Sequence, residues 1–578
     1  MNKKSRILKR VGVCFLASLT AFSMVGCGDG ETILRDEKTI NIRMYRGGYG
    51  TTYMTKLIEK FEALYEEEGY KVNLLTPSAE VTPAIAVQEL YTANDWADMY
   101  FCGIGAATNF VKGDYGLLVS DLTDVWNSKP IGFDGIEEEE TLKEKCIINI
   151  DESVQLIDGK VYAIPSKTSI GGLLVNKEKL DAYGLEIPKT TKEMIDVFEG
   201  IYLGTNGEEG ALTTDVYPLT FLGGENGYPL HYVNTFLAQY VGKDVYDQML
   251  AFEDAEGNIL LDQADGYKIF ENKGYEEMFK VLYQMHDAAY VAPGSMTNTL
   301  AGAHIKIMSE GGAVFMSDGD WAYNEIITDY PEEIKNLVFA NFPVISALGV
   351  KLFGADTTYK FDAAKCEEVL RYFIDAADDG ETVAAAVAAA KTEKGWDIQE
   401  KDAQEVMEAR GLYYSRSGKE GGGSGAVVVS KKTSNLEICK LFLRMMASDD
   451  NSTLYNQESN GFTSYMNDFS LVKDNSYVQN LKTIFNHQYA QPVQFTPTSA
   501  RRQTTANSEL LPEAGTFVVN GIIQKGLTIY GNGDYDKTAT NSIYENAAKE
   551  AAGKELTRAQ SQWDNWKSAW EEYKASLN

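Results

Sequence analysis

The sequence predicts an α/β protein built from more than one globular unit, and three observations carry that prediction. At 578 residues the chain is too long for a single hydrophobic core. Between residues 39 and 102, strand-like and helix-like runs alternate, which predicts right-handed crossovers and a parallel sheet with helices on both faces. A second alternation of the same kind begins near Gly172. An apolar share of 44% with 11% aromatic residues places the body of the chain among folded rather than disordered proteins.

The first residues stand apart from that body. Lys3, Lys4, Arg6, Lys9 and Arg10 precede an apolar stretch over 11–25, too short and one-sided for a membrane span, which reads as an export signal. It closes on Met24-Val25-Gly26-Cys27, which resembles a bacterial lipoprotein signal and implies cleavage before Cys27 and a diacylated cysteine; a plain signal peptide is the alternative. Removing 1–26 takes five positive charges and moves the formal net charge from −31 to −36. Such acidity argues against a nucleic-acid partner and predicts repulsion from anionic lipid except at the anchor. Beyond Cys14 and Cys27, Cys102, Cys146, Cys366 and Cys439 are far apart and form no CxxC pair, so buried free thiols are expected.

In chain order, 39–45 alternates as a strand, 53–68 places apolar residues at helical spacing, 70–75 is a second strand, 84–92 a helix, and 98–102 a third strand. Ligands collect at the carboxyl ends of such strands, so 45–49 and 102–106 are candidate rims. Two short strands, 161–164 and 172–175, flank a polar loop, and a hydroxyl-capped helix starts after Pro188. The stretch 205–263 reads as long loops and short strands, with a hairpin at 252–262. Helices are expected over 275–289 and 299–310, and a strand at 313–316 ends in a polar turn, 317–320, before a helix bearing Trp321 and Tyr323. A strand at 337–345 and a mainly helical region at 361–414 follow. The glycine-rich turn at 417–425 lacks the order of a phosphate loop and leads into strand AVVVS and a helix over 437–446. After an extended, proline-interrupted segment at 486–498, helices are expected at 516–530, 535–551 and 557–573. Trp563, Trp566 and Trp570 fall at core spacing on the last of them.

In this order the chain resembles the large extracellular solute-binding proteins of ABC importers, the group that includes maltose- and oligosaccharide-binding proteins. The residues that carry the resemblance are GKVYAIP and GGLLVNKEKLDAYGLEIPKTTKEMI within 159–195, the Gly-Ala-Val-Phe-Met strand with DGDW at 312–321, and the glycine-rich turn, strand and helix over 422–446. The chain is longer than is usual for the group, chiefly near 200–262 and 350–415. The resemblance implies a two-lobed periplasmic-binding-protein-like fold, each lobe a central sheet flanked by helices, joined by three hinge crossings. It assigns 39–165 and 415–490 to lobe 1 and 172–412 and 500–578 to lobe 2, after a signal over 1–26 and a tether over 27–38. The hinges are expected at 165–171, 413–418 and 491–499. The implied protein is a lipid-anchored monomer on the outer face of a cell membrane, of the Gram-positive type. It binds a carbohydrate or other small solute, uses no cofactor, and partners the permease subunits of an ABC importer.

A sugar offers hydroxyls around its edge and weakly polar C–H faces, so its cleft needs aromatic platforms beside polar groups. Trp321 is the leading candidate, with a core tryptophan as the alternative; Asp320 either accepts hydroxyl hydrogen bonds or caps the helix that follows. Tyr323 and Asn324 continue that segment. From the first unit, Tyr45, Arg46 and Tyr49 sit beyond the first strand, beside Gly47, Gly48 and Gly50. Lys167 and Thr168 lie at the first hinge, and Arg501 or Arg502 starts the return into the second lobe. Tyr228 and His231 fall in the extra loops, Cys102 and Gly103 at a strand end, and Trp96 reads as core. No GxSxG or HExxH motif is present, and the four histidines are scattered, so catalysis is not expected. A surface adhesin or sensor, or a secreted glycoside-acting enzyme, is the alternative.

Overall fold

The computed structural model describes residues 32–77, 81, 83–92, 95–102, 110, 117–146, 159–203, 216–223, 230–287, 289–415, 425–465, 476–494 and 537–576. The export signal, Cys27, Gly103, Tyr228, most of the glycine-rich turn, the helix expected at 516–530, and Arg501 and Arg502 lie outside them.

The strands are, in order, β1 (Thr39–Arg43), β2 (Lys71–Leu75), β3 (Met99–Cys102), β4 (Ile164–Pro165), β5 (Lys167–Thr168), β6 (Ile170–Asn176), β7 (Val216–Thr220), β8 (Gly312–Gly319), β9 (Leu337–Ala340), β10 (Leu412–Ser415), β11 (Ala426–Val429), β12 (Phe462–Thr463) and β13 (Gln491–Gln494). They form two α/β lobes. The first sheet runs β2-β1-β3-β11-β4 and the second β13-β10-β6-β8-β7, with β9 also paired to β6. In the first sheet β1, β2 and β3 are parallel, as the strand–helix alternation requires, and β11 enters antiparallel between β3 and β4. The buried face of β1 carries Ile40 and Ile42, and the helix Thr52–Leu64 answers with Met54, Leu57 and Phe61, all fully buried. That periodicity is what made both elements legible.

The chain passes between the sheets at 166–169, where β5 pairs with β12 rather than with either large sheet. It passes back between β10, in the second sheet, and β11, in the first. These two passages touch: the Ser166 amide donates to the Gly425 carbonyl at 2.7 Å, and a Cβ on Gly425 would lie 2.2 Å from the Lys167 carbonyl oxygen. Only glycine allows that approach. Beyond β12 the chain returns to the second sheet's side, where the helix Ser476–Phe485 packs on β9. Gln491–Gln494, within the stretch expected to hold the third crossing, pairs in parallel with β10 at the sheet edge.

Several elements differ from expectation. Residues 317–319 continue β8 instead of forming a turn, because Gly171 and Gly172 of β6 sit opposite Gly319 and Asp318 and keep the ladder going. The expected strand at 337–345 stops at Ala340, with one further bridge between Thr190 and Val344. The region 205–263 contains two helices, Leu230–Val241 and Lys243–Ala251, where loops were expected. The first is buried nearly all round: Asn234, Thr235 and Gln239 are buried with the apolar residues, which hides a helical period from the sequence. At the C-terminus two expected helices are one, Lys537–Ser576. Gly553 has open space around it and costs the helix about 1 kcal/mol without breaking it. Trp563, Trp566 and Trp570 are buried as expected, with Trp563 and Trp566 packed against Phe252. The four cysteines among the described residues are free thiols, three of them buried.

Candidate interlobe binding site

Between the two lobes, the ends of β1 and β8 meet. The turn after β1 bends back through Gly47 and Gly50, whose φ angles of +54° and +70° favour glycine, and delivers Tyr49 into the interior. From the other lobe, β8 runs out at Gly319 and presents Asp320 and Trp321. The Tyr49 hydroxyl donates to Asp320 Oδ1 at 2.7 Å, and the Ile170 amide at the start of β6 donates to the same oxygen at 3.2 Å. One carboxylate oxygen therefore joins both lobes and the first crossing.

Asp320 is fully buried, and its second oxygen, Oδ2, has no hydrogen-bond partner. An unpaired buried carboxylate oxygen is costly, and the group responds by holding its proton. Burial raises the Asp320 carboxyl from its ordinary 3.8 to about 7, against the opposing pull of the Tyr49 and Ile170 hydrogen bonds and the Lys167 charge. The same burial, with Asp320 and Tyr455 nearby, pushes the Tyr49 phenol well above its usual range. Lys167 lies with its ammonium 4.8 Å from the centre of the Tyr49 ring.

Trp321 is 5% exposed and lies where the lobes touch. Its indole folds back over Gly319, where a Cβ would sit 2.1 Å from the ring, and His231 stands edge-on to it at 6.3 Å. Gly48 of the first lobe closes over it: a Cβ there would come within 3.1 Å of Trp321 Cβ and 2.6 Å of Glu325 Oε1. Asn324 extends the contact. Its amide nitrogen donates to the Ser459 carbonyl, and its Oδ1 accepts from Asn460 Nδ2 at 2.7 Å. Tyr323 stacks obliquely on Tyr477, ring centres 5.0 Å apart.

The candidates thus separate into two groups. Tyr49, Lys167, Asp320, Trp321, Tyr323 and Asn324 converge on the interlobe contact. Thr168 is buried in the β5–β12 pairing beside it. Tyr45 and the exposed Arg46 line a separate shallow pocket of about 380 Å³ with Gly47, Thr51, Thr76 and Pro77. Trp96 carries the Arg35 guanidinium over its ring at 3.8 Å.

Sequence reasoning missed Tyr477, Tyr455 and the 459–461 turn. The Tyr477 hydroxyl lies 3.3 Å from both the Gly319 and Asp320 carbonyl oxygens, and Tyr455 packs edge-on against Tyr53 with ring centres 4.5 Å apart. Gly461 leaves room for the Tyr49 ring, which a Cβ would meet at 2.6 Å. Nothing in the local pattern around 455 or 477 distinguishes these tyrosines among the chain's 34. Among the described residues, no group of His, Cys, Asp and Glu could hold a metal ion, and no helix is long and apolar enough to cross a membrane.

A family profile described as bacterial extracellular solute-binding protein matches residues 56–475. No match is found among curated protein sequences. Similar solved structures include the apo form of RafE from Streptococcus pneumoniae, at 13% identity and a TM-score of 0.51, covering 89% of this chain and 100% of that one. A second, from work on xylan utilisation by Caldanaerobius polysaccharolyticus, has 15% identity and a TM-score of 0.53, covering 89% and 99%. A third, the GacH receptor of Streptomyces glaucescens, has 14% identity and a TM-score of 0.50, covering 90% and 99%.

Proposed function

The chain belongs to the bacterial extracellular solute-binding proteins of ABC-type importers, and from that membership we propose that it captures an extracellular carbohydrate, an oligosaccharide, between its lobes and delivers it to a permease. The observation that carries this reading is the convergence of aromatic rings and polar side chains from both lobes at one place, one carboxyl oxygen of which has no partner. Tyr49 comes from the first lobe; Asp320, Trp321 and Tyr323 come from the second. Rings supply platforms for the C–H faces of a sugar, and Asp320, Asn324 and Lys167 supply partners for its hydroxyls. The likeness to a protein from work on xylan utilisation supports the carbohydrate class.

Contacts that a solute makes to both lobes exist only when the lobes are together, so the solute shifts an open–closed equilibrium toward the form a permease would read. The lobes bond each other directly through Tyr49–Asp320 and Asn324–Asn460. A sugar entering the site replaces these contacts and gives Asp320 Oδ2 the hydroxyl partner it lacks. Arg501, at the expected return into the second lobe, belongs to the same proposed set. The anchor at Cys27 holds the protein on the outer face of a Gram-positive-type membrane, monomeric and close to its permease.

A glycan panel tests the reading. At a free concentration a hundred times Kd, a true solute stabilises the folded protein by about 2.7 kcal/mol and raises Tm accordingly. A panel of oligosaccharides that leaves Tm unmoved, while another solute class raises it, overturns the carbohydrate assignment.

A further inference from the structure

The interlobe contact has a feature that solute capture does not require. The hydrogen bond that crosses between the lobes ends on a carboxyl group that is fully buried and only half satisfied. Separation of the lobes returns that group to water, where a carboxylate is fully solvated; closure strips the water away and supplies two donors to one oxygen and none to the other. We propose that lobe closure in this protein takes up a proton, with Asp320 as the group that receives it and Tyr49 as its partner across the cleft. The proposal goes beyond solute capture and holds whatever the solute is.

The surroundings favour the neutral carboxyl. From the first lobe, Tyr49 and Tyr455 face Asp320; from the helix Ser476–Phe485, Tyr477 faces it; from the first crossing, Lys167 does. Asp318 and Glu325 add negative charge around Tyr477. Asp318 is itself held by His304 at 2.9 Å. Lys167 is the single cation among these groups. Its ammonium also lies over the Tyr49 ring, 4.8 Å from the ring centre. Burial therefore outweighs it, and the carboxyl titrates at about 7 with the lobes together. In the separated state the group returns toward its ordinary 3.8.

The sign follows from linkage. A carboxyl whose affinity for protons is higher in the closed state favours closure most when protonated, and that advantage is lost as pH rises through about 7. Between pH 8.5 and 5.5 the closed-to-open ratio of the solute-free protein should rise by about thirtyfold.

Hydrogen–deuterium exchange on the full, solute-free chain reads this directly. Protection of the segments 44–54 and 318–326, corrected for the intrinsic pH dependence of exchange, should rise by about thirtyfold from pH 8.5 to 5.5 in the wild type. Asp320→Asn, which keeps the shape and cannot ionise, should be protected at both pH values with no step between them. The proposal is overturned by a wild-type profile flat across this range, or by an Asp320→Asn profile that keeps the step. The wild-type profile decides without any variant, and because no solute is present its outcome is independent of the carbohydrate assignment.

Discussion

Two buried tyrosine–aspartate pairs among the described residues differ in how their carboxyl oxygens are satisfied. In one, the Tyr544 hydroxyl on the C-terminal helix donates to Asp287 Oδ2, while the Ala289 amide donates to Oδ1 at 2.8 Å. In the other, Tyr49 and Ile170 both donate to Oδ1 of Asp320, and Oδ2 receives nothing. Burial raises both carboxyls, to about 6 for Asp287 and about 7 for Asp320. The raised proton affinity alone therefore does not mark a site. What distinguishes the interlobe pair is the unused acceptor and the fact that its partner comes from the other lobe. The Asp287 pair, with both oxygens satisfied, fastens the C-terminal helix to the second lobe beside an apolar seam.

That contrast can be broken or sharpened by substitution. The largest effect should come from the seam: Trp566→Ala, which removes a ring packed against Phe252 and Phe270, should cost about 3–5 kcal/mol in urea unfolding without changing solute affinity. Tyr544→Phe leaves one buried Asp287 oxygen without its donor and should cost about 1–3 kcal/mol, read by the same unfolding curves. Asp287 also has a pH signature. Its contribution to folding is fully present below its ordinary 3.8, when it is protonated in both states, and is lost as pH rises through about 6. Asp287→Asn should flatten the fall in stability over that window; an unchanged slope would show that another group causes it. Tyr49→Phe is the smallest. It removes one interlobe hydrogen bond, worth about 0.5–1.5 kcal/mol, and should loosen closure as seen by exchange at 44–54 while leaving global unfolding nearly untouched.

How far the sequence carried the reading depends on how local each signal was. Ile40, Ile42, Leu57 and Phe61 alternate or repeat in register with a single element, so the first lobe's strands and helix were legible. Trp563, Trp566 and Trp570 share one helical face and were legible as core for the same reason. The helix Leu230–Val241 was not: Gln239 is buried because its Oε1 accepts the Ile345 amide, a partner 106 residues away that no local period reveals. The same limit divided the site. Tyr49, Asp320 and Trp321 lie just beyond strand ends, where α/β sheets gather ligands, and could be picked out. Tyr455 and Tyr477 reach the site only through the packing of later helices on the finished sheets.

The proposed function requires that solute bind at the interlobe contact and not at the tryptophan seam. Titration calorimetry of Trp321→Ala and Trp566→Ala, using whichever glycan raises the wild-type Tm, tests it most directly. Trp321→Ala should lose at least about tenfold in affinity, or about 1.4 kcal/mol, and Trp566→Ala should bind as the wild type does. Full affinity in Trp321→Ala, with loss in Trp566→Ala at temperatures where both remain folded, would place the solute elsewhere than the interlobe contact.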